Sequence, residues 1–124
     1  MSSTKSLAIG SSASPAFLLP PFTIDATKQG NTFVVRAEGE LDLSECPLLE
    51  RALREAEASH ATRILLDLEG LTFIDAAGLS ALVLAWHRSV ADGNRLQVTR
   101  GRGNVASMLH LTALDRVLPF IADS

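Results

Sequence analysis

The sequence is short of the features that mark secreted, membrane-spanning or nucleic-acid-binding chains. It holds one cysteine in 124 residues, Cys46, so no internal disulfide can form and no Cys/His spacing offers a metal site. A reducing cytoplasm is the expected setting. No run of about twenty apolar residues exists to span a bilayer. Lys5-Ser6-Leu7-Ala8-Ile9-Gly10 is too short and too soon interrupted to serve as a signal-peptide core. Basic residues number 11 against 14 acidic ones, a net charge of −3. Without a basic excess, or a basic stripe with aromatics, neither nucleic acid nor membrane insertion is expected. His60, His87 and His110 are spread over three elements with no serine and carboxylate at catalytic offsets, so neither a triad nor a metal or cofactor site is predicted, and the chain reads as a non-enzyme.

What the chain does have is enough length for one domain with a single core. Residues 1 to 21 differ from the rest, with Ser2, Ser3, Ser6, Ser11, Ser12 and Ser14 crowded together and Pro15, Pro20 and Pro21 closing the stretch. They are predicted to be a flexible tail, with residues 22 to 124 forming the domain. Phe17, Leu18 and Leu19 stand out in that tail as apolar side chains that call for packing on the domain or on a partner.

From residue 22 the elements follow in order. Phe22–Ala26 and Thr32–Ala37 flank the turn signal Lys28-Gln29-Gly30-Asn31 and read as a hairpin. Ser44 is placed to cap a helix with Leu48, Leu49, Ala52, Leu53 and Ala56 on one face and the pairs Glu50/Arg54 and Arg51/Glu55 outside. A strand at 63 to 68, apolar enough to be buried on both faces, is followed by a helix from Ala76 to about Ala91 and a strand at Arg95–Thr99. Asn104 is read as the cap of a third helix, and Val117–Ile121 as a short edge strand, since Pro119 does not suit the middle of a sheet. Alternating β and α elements after a hairpin give an α/β fold, a mixed sheet backed by helices.

The most informative stretch is Leu65–Leu82, which fuses strand, turn and helix. Asp75 stands where an N-cap belongs, its carboxylate able to accept from the backbone N–H of Ala77 or Gly78. The turn therefore presents a small-residue helix start at which added negative charge is favoured. On the helix, Leu79, Val83, Trp86 and Val90 form one stripe, taken as the core side because it carries the bulk; Ala77, Ala81, Leu84 and Arg88 form the opposite one. The second stripe is small, apolar and nearly uncharged. It suits a partner that approaches over the alanines, with Leu84 as anchor and Arg88 at the rim.

The run Asp75-Ala76-Ala77-Gly78-Leu79 after an apolar strand resembles the core motif of STAS domains, found in bacterial anti-sigma factor antagonists and in the tails of sulfate transporters. Val34–Leu43, ending in Gly39-Glu40-Leu41-Asp42, is similar to the family's second strand and the turn after it, and Leu111–Val117 to its last helix. The resemblance spans roughly residues 21 to 122. It implies a STAS fold, a mixed β-sheet of about 4–5 strands backed by 3–4 helices. It also implies a protein that binds an anti-sigma factor with an ATP-binding kinase fold and so frees a sigma factor. The implied partner-binding residues are Asp42, Asp75, Ala76, Ala77, Gly78, Ser80, Ala81, Leu84 and Arg88. In the antagonists a serine or threonine just before the motif glycine is phosphorylated by the partner; that position is Ala77 here, with Ser80 the nearest substitute hydroxyl. STAS subunits that sit on transporter ATPases, and ligand-sensing STAS modules, need no phosphoacceptor and form the alternative reading.

Two further signals are weaker. Gly101-Arg102-Gly103-Asn104-Val105-Ala106 matches the dinucleotide pattern G-x-G-x-x-A, but eighteen residues after Ala106 leave no room for the crossover that pattern needs. Cys46, in the first turn of a helix, occupies a place where the dipole lowers a thiol pKa, though no second cysteine stands by for redox exchange.

Overall fold

The computed structural model describes residues 22–121. The tail expected over residues 1 to 21, with Phe17, Leu18 and Leu19, lies outside them. Strands β1 (Thr23–Gln29) and β2 (Thr32–Leu41) form an antiparallel hairpin, turned by Gly30 at φ +62°. Helix α1 (Cys46–Ala58) crosses to β3 (Arg63–Ile74), parallel to β2, and α2 (Ala76–Ala91) crosses to β4 (Leu96–Val98), parallel to β3. The sheet order is β1-β2-β3-β4, with α3 (Gly103–Leu111) and a short 3-10 turn (Leu114–Arg116) after it. This is the expected mixed α/β architecture, with four strands and three α-helices among the described residues.

One face of the sheet carries the core. Val35, Ala37 and Leu41 of β2 and Ile64, Leu66 and Leu68 of β3 are buried there beneath Leu49 and Leu53 of α1, Leu82 and Ala85 of α2, and Val105 and Leu109 of α3. A fully buried leucine contributes about 1.5–3 kcal/mol, so this layer dominates stability. The other face is mixed: Val34 is buried on it, and Arg36 reaches Asp67 at 3.0 Å and Asp25 at 3.9 Å. The strand expected to be buried on both faces is thus buried on one, since Leu65 and Asp67 alternate half-buried with the core residues. It also runs six residues further than predicted. Gly70 permits this, because a Cβ there would lie 2.6 Å from the Glu38 side chain, and the β2 register shifts between Arg36 and Glu38 and again between Gly39 and Glu40.

Two capping expectations and one strand change. Asp42, not Ser44, begins the first helical segment: its carboxylate accepts from the Ser44 N–H at 3.1 Å and starts a 3-10 turn (Leu43–Glu45) from which α1 continues with Pro47 in its first turn. Asn104 lies inside α3, which follows Arg102 without a side-chain cap. The predicted edge strand at 117–121 shrinks to one bridge, Val98 with Phe120, because Pro119 has no N–H to extend a ladder. On α1, Glu50 pairs with Arg54 at 2.7 Å while Arg51 and Glu55 form no ion pair with each other.

Candidate functional site: a braced docking face

Asp75 joins two loops. One carboxylate oxygen accepts from the Gly78 N–H at 2.9 Å, capping α2, and the other accepts from the Leu43 N–H at 3.2 Å. The Asp75 N–H donates to the Leu41 carbonyl at 3.2 Å. Asp42 stiffens the second loop from within, accepting from the Ser44 hydroxyl at 2.8 Å and, through its carbonyl, from the Glu45 and Cys46 N–H groups at 3.0 and 3.1 Å. The glycine of the motif answers to space: a Cβ on Gly78 would lie 2.7 Å from Ile74 Cγ1 and 3.1 Å from the Leu41 carbonyl oxygen. Only a bare backbone lets α2 start this close to the end of β2.

The result is a surface made of Leu43, 72% exposed, beside the exposed Ala76 and half-buried Ala77. Ser80, exposed one turn on, and Leu84, 56% exposed, continue it along α2. The other expected members fall elsewhere. Ala81 is buried, and Arg88 is drawn into α1, its Nε 3.0 Å from Glu57 Oε2 and Nη1 3.1 Å from Glu50. Val83 and Trp86 are half-buried and Val90 is 52% exposed, so the stripe predicted to face the core flanks it instead. The helix is rolled by roughly a quarter turn from the expected orientation, at 100° per residue. The physical reason is size. Gly78, Ala81, Ala85 and Ser89 face inward with Leu79 and Leu82, allowing close approach to the sheet, while bulk is accommodated at the helix flanks.

Leu43 was not among the residues that sequence reasoning singled out. Its signal is faint, one leucine between Asp42 and Ser44 in a turn. Also new is an apolar groove of about 500 Å³ lined by Leu79, Ser80, Val83, Leu84, Thr112 and Leu114. Its far wall, Thr112 and Leu114, brackets Ala113, a non-glycine residue at φ +64° whose alanine gives no sequence warning.

The electrostatics of the face are acidic. Burial and the neighbouring Asp42 hold the Glu45 carboxyl above its ordinary pKa. Burial pushes the Cys46 thiol up, reinforced by Asp75, Asp42, Glu45 and Glu50. This is the reverse of the lowering expected from the helix start, with burial the larger cause and the four carboxylates adding to it. The histidines are not assembled into a site: His110 Nδ1 lies 2.9 Å from Asp115, and His87 stacks near Trp86. Among the described residues no cluster of His, Cys, Asp or Glu is arranged to hold a metal ion, and no helix is long and apolar enough to cross a membrane. What this arrangement offers chemically is a rigid, shaped surface with acidic surroundings.

Comparison with known proteins agrees with this fold. Residues 24–119 match the family model described as Mlab, STAS domain. An anti-sigma factor antagonist from Mycobacterium paratuberculosis has 25% identity and a TM-score of 0.71, over 82% of this chain and 86% of its own. The anti-sigma factor antagonist SpoIIAA in its unphosphorylated form shares the fold at 19% identity and a TM-score of 0.64, over 83% of this chain and 90% of its own. So does murine Slc26a9, an anion transporter, at 14% identity and a TM-score of 0.62, over 74% of this chain but 15% of its own.

Proposed function

This chain belongs to the STAS domain family, and from that premise we propose that it is a non-enzymatic antagonist which docks on an anti-sigma factor of ATP-binding kinase fold and frees a bacterial sigma factor in the cytoplasm. The observation that carries the reading is the braced junction of Asp42 and Asp75, which holds Leu43, Ala76, Ala77, Ser80 and Leu84 on one face. Its likeness to the mycobacterial antagonist supports the same assignment. A phosphate at the start of α2 would place about −1.5 to −2 charges in a surface that binding must desolvate. Ala76 and Ala77 offer no hydroxyl for it, so this protein binds without that off switch.

The test uses the partner recovered from the source cell, purified and mixed with ATP. Wild type is expected to take up no phosphate at the α2 start, since Ser80 is displaced along the helix by about 4.5 Å. Ala77→Ser should become phosphorylated and release the partner, read by intact-protein mass spectrometry and gel filtration. Leu84→Asp should weaken the complex by about 2 kcal/mol or more while the fold stays intact. Phosphate on wild-type Ser80 would refute the missing switch.

The alanine pair also favours a second reading, a STAS subunit of a transport system or a ligand-sensing module, which needs no phosphoacceptor. In the transport case the same face holds an ATPase subunit. Recovery of a transporter ATPase rather than a kinase-fold protein, together with an unmodified Ala77→Ser, decides for it.

A further inference from the structure

The two edges of the sheet are finished differently. Beyond β4, the Val98 N–H donates to the Pro119 carbonyl at 3.0 Å and the Val98 carbonyl accepts from the Ile121 N–H at 3.0 Å, so that edge is covered. β1 forms the other edge. Its two-residue turn at Gly30 and Asn31 makes Gln29 and Thr32 a hydrogen-bonded pair, and alternation along an antiparallel ladder then turns Thr27, Asp25 and Thr23 toward β2. The N–H and C=O groups of Ile24, Ala26 and Lys28 point outward, and none has a partner among the described residues. β1 keeps an unbroken register over seven residues with no proline and no bulge, two devices that keep an edge strand from pairing.

A second copy of the chain fits this edge. Ala26 is the midpoint of β1, and its outward amide and carbonyl can pair with the same two groups of another Ala26 across a two-fold axis. The register that follows sets Ile24 opposite Lys28 and Asp25 opposite Thr27, so no like charges stand directly opposite, and Asp25 already faces Arg36 of its own chain at 3.9 Å. The helices support the same pairing. α1 packs over both β1 and β2. With strands about 4.8 Å apart, its axis and that of its copy would lie about 10 Å from each other, the spacing of directly packed helices. Glu50 and Glu57 occupy the flank of α1 that holds Arg88 of α2. At 100° per residue Arg51 and Glu55 fall toward the opposite flank, on the β1 side, exposed and with no ion pair among the described residues. Two such helices related by the axis run antiparallel, which sets Arg51 of each toward Glu55 of the other.

We propose that β1 is a self-association edge, through which two copies of this chain join antiparallel at Ala26 into one eight-stranded sheet, four strands from each, with α1 against α1. The surface uses none of Leu43, Ala76, Ala77, Ser80 and Leu84, so it stands or falls independently of what docks on those residues.

Sedimentation velocity of the full-length chain over a range of concentrations tests the dimer. Wild type should pass from monomer to dimer as the concentration rises. Ala26→Pro removes an outward N–H but no bond of the β1–β2 ladder, a position at which an edge strand tolerates proline. It should weaken dimerisation by roughly tenfold or more, since each copy loses a hydrogen bond, while the circular dichroism spectrum keeps its shape. Arg51→Glu should weaken the dimer by roughly threefold, and combining it with Glu55→Arg should restore it. Amide exchange at Ala26 and Lys28 identifies what holds the edge. Protection that grows with concentration supports the dimer; protection equal at every concentration means that another part of the same chain lies there, and overturns it. A chain that stays monomeric throughout overturns it as well, as does a dimer that Ala26→Pro and Arg51→Glu both leave intact.

Discussion

The chain makes two strand-to-helix junctions that look alike in sequence and are built on different principles. At the β3–α2 junction Gly78 sits in ordinary helical backbone and is required for space, with Ile74 and Leu41 against it. At the β4–α3 junction Gly103 has nothing within 4 Å of a built Cβ and is required for conformation, at φ +53°. The first junction is tied to a neighbouring loop by a carboxylate that serves two backbone amides. The second has no side-chain cap; there Glu69 accepts from the Gly101 N–H at 3.2 Å and meets Arg102, largely exposed, at 3.4 Å. A surface that is to be recognised must keep its shape in the free state, and the first junction, where one carboxylate both caps the helix and holds a second loop, is the more fully braced.

The comparison breaks most readily at the glycines. Gly78→Ala should destabilise the fold by about 2 kcal/mol, since overpacking against a backbone oxygen costs about 3 kcal/mol and improved helix propensity returns about 1 kcal/mol. Gly103→Ala should cost about 1 kcal/mol, for left-handed backbone alone. Urea denaturation measures both, and the reverse order would mean that the two glycines have been assigned the wrong roles. A smaller contrast follows at the caps. Asp75→Ala orphans the Gly78 and Leu43 amides and should cost about 1–2 kcal/mol, with Asp75→Asn recovering part through the retained acceptor. Arg102→Ala, which removes an exposed ion pair, should stay within about 0.5 kcal/mol.

The same contrast marks how far the sequence could be read. Element order, the hairpin, the bounds of α2 and the cap at Asp75 all follow from local signals, namely periodicity, turn residues and one carboxylate at a helix start. The roll of α2 does not, because it depends on which residues let the helix approach the sheet and on Arg88 reaching Glu50 and Glu57 across a gap in sequence. Ranking faces by bulk placed Trp86 inside and Ala81 outside, whereas the close contact is made by Gly78, Ala81 and Ala85. The extension of β3 to Ile74 escaped for a similar reason: Gly70 reads as a turn signal until the Glu38 side chain beside it is known. Of the candidate docking residues, Ala76 is exposed and Asp75 and Ala77 are half-buried at the junction, whereas Gly78 and Ala81 are buried and Arg88 is held by Glu50 and Glu57; Leu43, exposed beside them, was not among the candidates.

The smallest effect concerns charge and sharpens the comparison electrostatically. Cys46 begins α1, where a helix terminus alone would favour the thiolate. Burial, followed by Asp75, Asp42, Glu45 and Glu50, drives its pKa up instead. The folded chain therefore holds the thiol proton to higher pH than the unfolded chain. Its contribution to stability is full below the unfolded thiol pKa and falls as pH rises through the folded value, the sign expected when the native state binds the proton more tightly. Alkylation of native Cys46 by iodoacetamide should accordingly show a midpoint above that of the urea-unfolded chain. Asp75→Asn should lower that midpoint by removing the charge with the largest effect of the four, and Arg102→Ala, at the other junction, should leave it where it was. A native midpoint at or below the unfolded one would mean that the helix terminus outweighs burial and the carboxylates together, and the acidic character assigned to the braced face would fall with it.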